Sequence, residues 1–142
     1  MRASHGWLAR AGLATLALAA FLGSASPAFA TDCAGLQAAL TAAVAGDTVT
    51  VDAGSVCTGP FTLPNAAITV QGGGAGATLD GGGATPALSG IDIGATTIRN
   101  LTFRNGFSSS PGGAVSIAGN SAPTFDTTHF IANTSTATGG AL

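Results

Sequence analysis

Between residues 98 and 142 the sequence lies over itself at an offset of 27. Ile98 falls on Phe125, Phe103 on Phe130, and Gly112-Gly113-Ala114-Val115 on Gly139-Gly140-Ala141-Leu142. The step from phenylalanine to the glycine pair is the same nine residues in both copies. A period of this length is too short for a propeller blade, which needs about 40–45 residues. It suits one coil of a parallel β-solenoid, where short strands pair with the coils before and after and equivalent side chains pile into columns. Phe103 and Phe130 are then neighbours in one column. Arg99 and Asp126 are also 27 apart, and would sit about one strand spacing, ~4.8 Å, from each other. The expectation for that pair is an ion pair between coils; the competing reading is half of an active site.

The segments upstream fit the same architecture. Val49-Thr50-Val51, Phe61-Thr62-Leu63, Ile68-Thr69-Val70, Ile91-Asp92-Ile93, Leu101-Thr102-Phe103 and Val115-Ser116-Ile117 alternate apolar and polar residues, the period of a half-buried strand. Gly, Pro, Ser and Asn clusters separate them, and none of the connections has a second helical pattern, which argues against βαβ units. One stretch, 33–45, is helical in period: Leu36, Ala39, Leu40, Ala43 and Val44 share a face. Asp32 is placed to cap its start and Gly46 to close its end. The glycine run Gly72–Gly76 lacks the Lys and the following helix of a phosphate loop, and reads as tight turns.

Composition narrows the classes. The chain has no Lys and no Glu, and charged residues are 7% against a usual share of about 25%. Duplex nucleic acid, which needs many cations to displace counterions, is excluded as a partner. A coiled coil is excluded with it. Residues 1–30 read as a secretory leader: Arg2 and Arg10, an uncharged run from Ala11 to Leu22, then Ala28-Phe29-Ala30 as the cleavage site. The apolar run is well short of the roughly 20 residues a membrane span requires, and the mature chain contains no span. Residues 31–142 form the N-terminal cap and first coils of one domain. Cys33 and Cys57 are the only cysteines. In an exported chain they pair with each other, or else remain two free thiols.

Here the chain resembles a family. The segment LQAALTAAVAGDTVTVDAG, residues 36–54, looks like the N-terminal cap and first coil of right-handed parallel β-helix proteins of the pectin-lyase-like superfamily. FRNGFSSSPGGAV and FIANTSTATGGAL resemble the polymorphic outer membrane protein repeat, F-x-x-N followed by G-G-A-[ILV]. Phe130, Asn133, Gly139, Gly140 and Ala141 match it in full. Phe103, Gly112, Gly113 and Ala114 match it too, but Asn105 comes one position early and Gly106 takes the asparagine's place. The resemblance implies an all-β, right-handed parallel β-helix, secreted or displayed on the cell outer membrane surface, often the passenger part of a larger bacterial protein. Further coils or an anchor are expected beyond Leu142, because a solenoid needs a cap at each end.

Few residues can do chemistry. The mature chain has two arginines, Arg99 and Arg104, six aspartates and His129. His129 precedes Phe130 on a strand, so it points outward when the phenylalanine points in. No triad spacing, catalytic set or metal ligand set is legible, and no cofactor is expected. A structural or adhesive surface module is the leading expectation, with surface glycans or a host or neighbouring-cell surface as partner. The alternative is the N-terminal part of a polysaccharide lyase or glycoside hydrolase whose active site lies in later coils. An ice-binding solenoid needs a T-x-T rank in every coil, which only Thr48-Val49-Thr50 and residues 134–138 approach.

Overall fold

A computed structural model of the chain describes residues 28–142. The expected leader lies outside the described residues except for its last three. The chain is mostly strand, in parallel sheets, with one short helix. In order come β1 (Ala28–Thr31), α1 (Cys33–Ala42), β2 (Thr48–Val51), β3 (Val56–Thr58), β4 (Phe61–Thr62), β5 (Thr69–Gly72), β6 (Ala77–Asp80) and β7 (Leu88–Ile91). Then follow β8 (Thr97–Arg99), β9 (Leu101–Arg104), β10 (Phe107–Ser108), β11 (Val115–Ala118), β12 (Thr124–Asp126), β13 (His129–Ile131) and β14 (Thr134–Ser135).

Three sheets run in the orders β1-β2-β5-β8-β12, β3-β6-β9-β13 and β4-β7-β11, and β10 pairs with β14. The chain visits the first, second and third sheets in that order and then returns to the first, so each pass lays its strands parallel to those of the pass before. Thr48 pairs with Thr69, Thr69 with Thr97 and Thr97 with Thr124. Alternation then sorts the side chains. Val49, Val70 and Ile98 face inward in the first sheet, Cys57, Leu79 and Phe103 in the second, and Phe61, Leu88 and Val115 in the third, all buried. Each such Val, Leu, Ile or Phe contributes roughly 1.5–3 kcal/mol on burial. Phe130 stacks on Phe103 at 5.3 Å between ring centroids and meets Phe125 edge-on.

The first pass is covered by three different devices. Strand β1 pairs with β2 and brings Phe29 against the core. The Cys33–Cys57 disulfide joins α1 to β3. Gln37 closes the third sheet: its Oε1 accepts from the Thr62 N–H at 2.8 Å and its Nε2 donates to the Thr62 carbonyl at 3.2 Å. One side-chain amide thus satisfies the donor and the acceptor of an edge residue, as a neighbouring strand would.

The helix begins as expected, with the Asp32 carboxylate accepting from Gly35 N–H. It ends sooner. Ala43 is extended, Val44 is 62% exposed rather than on the buried face, and Gly46 lies in the turn beyond. The buried Asp47 carboxylate takes the Val44 N–H at 2.8 Å, and Asp47 N–H donates to the Val44 carbonyl. That closed turn outcompetes one more turn of helix. The expected strand Ile91-Asp92-Ile93 is also corrected. Asp92 has φ 54, so Ile91 is 65% exposed while Ile93 is buried. A left-handed residue swings its two neighbours to opposite sides, which period-two reading cannot anticipate.

Later passes turn corners on single left-handed residues. Asn100 (φ 53) lies between the first and second sheets, and Thr127 (φ 50) does the same one pass on. Asn105 (φ 50) and Ala132 (φ 52) turn the chain out of the second sheet. Asparagine tolerates this conformation; threonine and alanine adopt it at a cost of roughly 1–2 kcal/mol.

Candidate functional site

Where the chain turns from the first sheet to the second, the outer surface is hollowed. The cleft has a volume of about 220 Å³. Its floor is the outward column of the second sheet, in which Thr78 pairs with Thr102 and Thr102 with His129. Its wall is built from the corners: Gly54, Gly76, Asn100 and Thr127. The Asn100 amide nitrogen donates to the Gly72 and Gly74 carbonyls, which leaves Oδ1 as an acceptor. Gly54 and Gly76 both hold positive φ (73 and 94), which permits these tight corners. His129 is exposed, as expected from its place before an inward phenylalanine. A second, more apolar groove of about 470 Å³ runs over the third sheet past Leu63, Gly90 and Ile91.

The ionic chemistry lies elsewhere. Arg99 and Asp126 occupy paired register positions, but the expected ion pair is not formed. Arg99 Nε donates instead to Gln71 Oε1 at 2.7 Å, one pass earlier, and the Asp126 carboxylate accepts from the Thr127 hydroxyl. Among the described residues the ion pair is Arg104–Asp80, Nε to Oδ2 at 2.6 Å, again across one pass. Register alone does not select the partner. Arg99 meets the Gln71 side chain on one side and Asp126 on the other, and turns to the former.

Asp80 is the most elaborately held ionisable group. It is buried, and its Oδ1 accepts from Gly82 N–H at 2.8 Å, while Asn105 Nδ2 reaches both oxygens. The Gly82 N–H, then Arg104 and Asn105, hold its carboxyl below the ordinary carboxylate value against the opposing effect of burial. No group of three or more His, Cys, Asp or Glu that could hold a metal ion occurs among the described residues. No helix among them is long and apolar enough to cross a membrane.

The repeat residues come together across passes. Asn133 explains both the motif and its departure. Its Oδ1 accepts from Gly106 N–H at 2.8 Å and its Nδ2 donates to the Phe103 carbonyl at 3.0 Å. The asparagine of one copy thus satisfies the backbone beneath it. Gly106 occupies the equivalent place in the earlier copy because a Cβ there would strike the Gly113 carbonyl and Ala114. Gly112 holds φ 86, and a Cβ on Gly113 would overlap the Gly140 and Thr134 carbonyls. Gly112 and Gly113 N–H both donate to the Gly139 carbonyl, and Ala114 N–H to the carbonyls of Gly140 and Ala141. The cleft itself was not legible in the sequence: the 27-residue offset sets Thr102 against His129, but Thr78 lies 24 residues before Thr102, and the corners Gly54 and Gly76 lie outside the repeat. No family model, curated protein or solved structure matches the chain.

Proposed function

We propose that the chain is an exported right-handed parallel β-helix module with a structural or adhesive role at the cell surface, resembling the passenger part of polymorphic outer membrane proteins. The observation that carries this reading is the strict parallel register of three sheets visited in the same order pass after pass. Such a stack buries one narrow core and turns every second side chain of each strand to solvent. The surface it offers is rich in hydroxyls: Thr48, Thr69, Thr97 and Thr124 form one outward row, and Thr62, Ser89 and Ser116 another. Surface glycans or another cell's surface are the partners this suits. On this reading the leader of residues 1–30, with its uncharged run from Ala11 to Leu22, directs the chain out of the cytoplasm, and cleavage after Ala30 removes most of β1 and leaves α1, the disulfide and Gln37 to cover the first pass.

The test is to express the full chain with a C-terminal tag in a bacterial host. Intact cells are then treated with an added protease, and pectate is offered with and without calcium. Loss of the tag from intact cells with no unsaturated sugar product supports the reading. A tag protected inside the cytoplasm refutes export. Unsaturated product favours the polysaccharide lyase alternative instead.

A further inference from the structure

We propose that the cleft between the first and second sheets binds one uncharged sugar ring of a glycan. This names the site and ligand class for the adhesive reading above and rests on it. The argument starts from size. At about 220 Å³ the cleft is smaller than the roughly 300–1,000 Å³ typical of sites for drug-sized ligands. It admits one ring, not an oligosaccharide laid full length.

The lining sets the chemistry. Thr78 and Thr102 present hydroxyls, each both donor and acceptor, and Thr127, whose hydroxyl donates to Asp126, adds an acceptor. Asn100 offers Oδ1 alone, because its nitrogen is committed to Gly72 and Gly74. His129 adds an imidazole. Sugar hydroxyls are likewise donors and acceptors, and a ring carries several of them with which to pair groups arrayed one strand spacing apart, ~4.8 Å. An apolar ligand would strip water from these groups and return no hydrogen bonds.

Charge excludes the next class. Uronates, sulfated sugars and phosphates are held most strongly by a guanidinium or ammonium. Neither Arg99 nor Arg104 lines the cleft: Arg104 is held by Asp80 and Arg99 by Gln71. Two exposed charges border the cleft wall along the chain, Arg99 beside Asn100 and Asp126 beside Thr127, and their opposite signs leave no net attraction for an anion. The site therefore differs in kind from one built to grip an acidic polysaccharide.

Saturation-transfer NMR on the full chain tests this with glucose, galactose, mannose, N-acetylglucosamine and galacturonate, each offered alone at millimolar concentration. The expected result is transfer to at least one uncharged sugar and none to galacturonate. Thr102→Trp, an outward position on the cleft floor, abolishes the signal. Ser116→Trp, outward on the third sheet, leaves it intact and shows that an added surface tryptophan does not unfold the chain. No transfer to any uncharged sugar overturns the proposal, and so does a signal that survives Thr102→Trp. Galacturonate bound as well as the others also overturns it. Protease treatment of intact cells reads export separately, so a failed sugar test with a surface-exposed tag rejects the cleft and spares the module.

Discussion

Phe103 and Phe130 occupy equivalent places in the two copies of the repeat, so sequence alone assigns them equal weight. The structure does not. Phe103 is fully buried, with chain above and below, whereas Phe130 is half-buried and covers Phe103 from one side. Truncating a fully enclosed phenylalanine to alanine costs roughly 3–5 kcal/mol, part transfer and part cavity. Phe130→Ala leaves a hollow open to solvent, so its cost is about 1–2 kcal/mol of lost burial. The rings are stacked at 5.3 Å with 16° between planes, and such a pair couples by about 0.5–1.5 kcal/mol beyond area. Urea unfolding of the parent, both single variants and the double variant, followed by circular dichroism, yields all three quantities from one cycle. The expected order is Phe103→Ala far below Phe130→Ala, with the double variant less damaged than the sum. Equal losses, or strict additivity, would mean that the two rings do not share a column, and the pass-on-pass register would be wrong.

Three further outcomes follow from the same geometry. Asp80 has its carboxyl pKa lowered in the folded chain. Its contribution is complete above the ordinary unfolded value of about 3.9 and is lost as pH falls through the lower folded value; in acid titrations of stability, Asp80→Asn flattens that limb. Reducing Cys33–Cys57, which spans 24 residues, removes about 3.5 kcal/mol on the chain-entropy account, read as a lower urea midpoint with dithiothreitol. Ala132→Asn relieves a left-handed alanine at φ 52 and raises stability by about 0.5–1 kcal/mol; a decrease would show that the corner is not strained.

What the sequence disclosed, and what it hid, divides along the distinction between local and cross-pass physics. The columns of Val49, Leu101 and Phe103 were legible because alternation is a local property of a strand. The Asp32 cap was legible for the same reason. The corners were not: Thr127 and Ala132 are residue types that rarely turn left-handed, and only stacking on Asn100 and Asn105 fixes them there. Passes of 21, 28 and 27 residues in the first sheet hid the row Thr48, Thr69, Thr97 and Thr124 from any fixed offset. The ion pair was misassigned because an offset identifies which strands are neighbours, not which of two neighbours a long side chain prefers. Arg104 finds Asp80 at a separation of 24, not 27, since the link from β6 to β7 is shorter than the one from β9 to β11.

In every sheet the spatial order of strands is also their order along the polypeptide. Each newly added strand docks on one already in place and never on one still to come. A chain threading outward through a narrow pore, amino end first, therefore finds a finished template waiting at each step. With this order, nothing has to be held unfolded until a distant segment emerges.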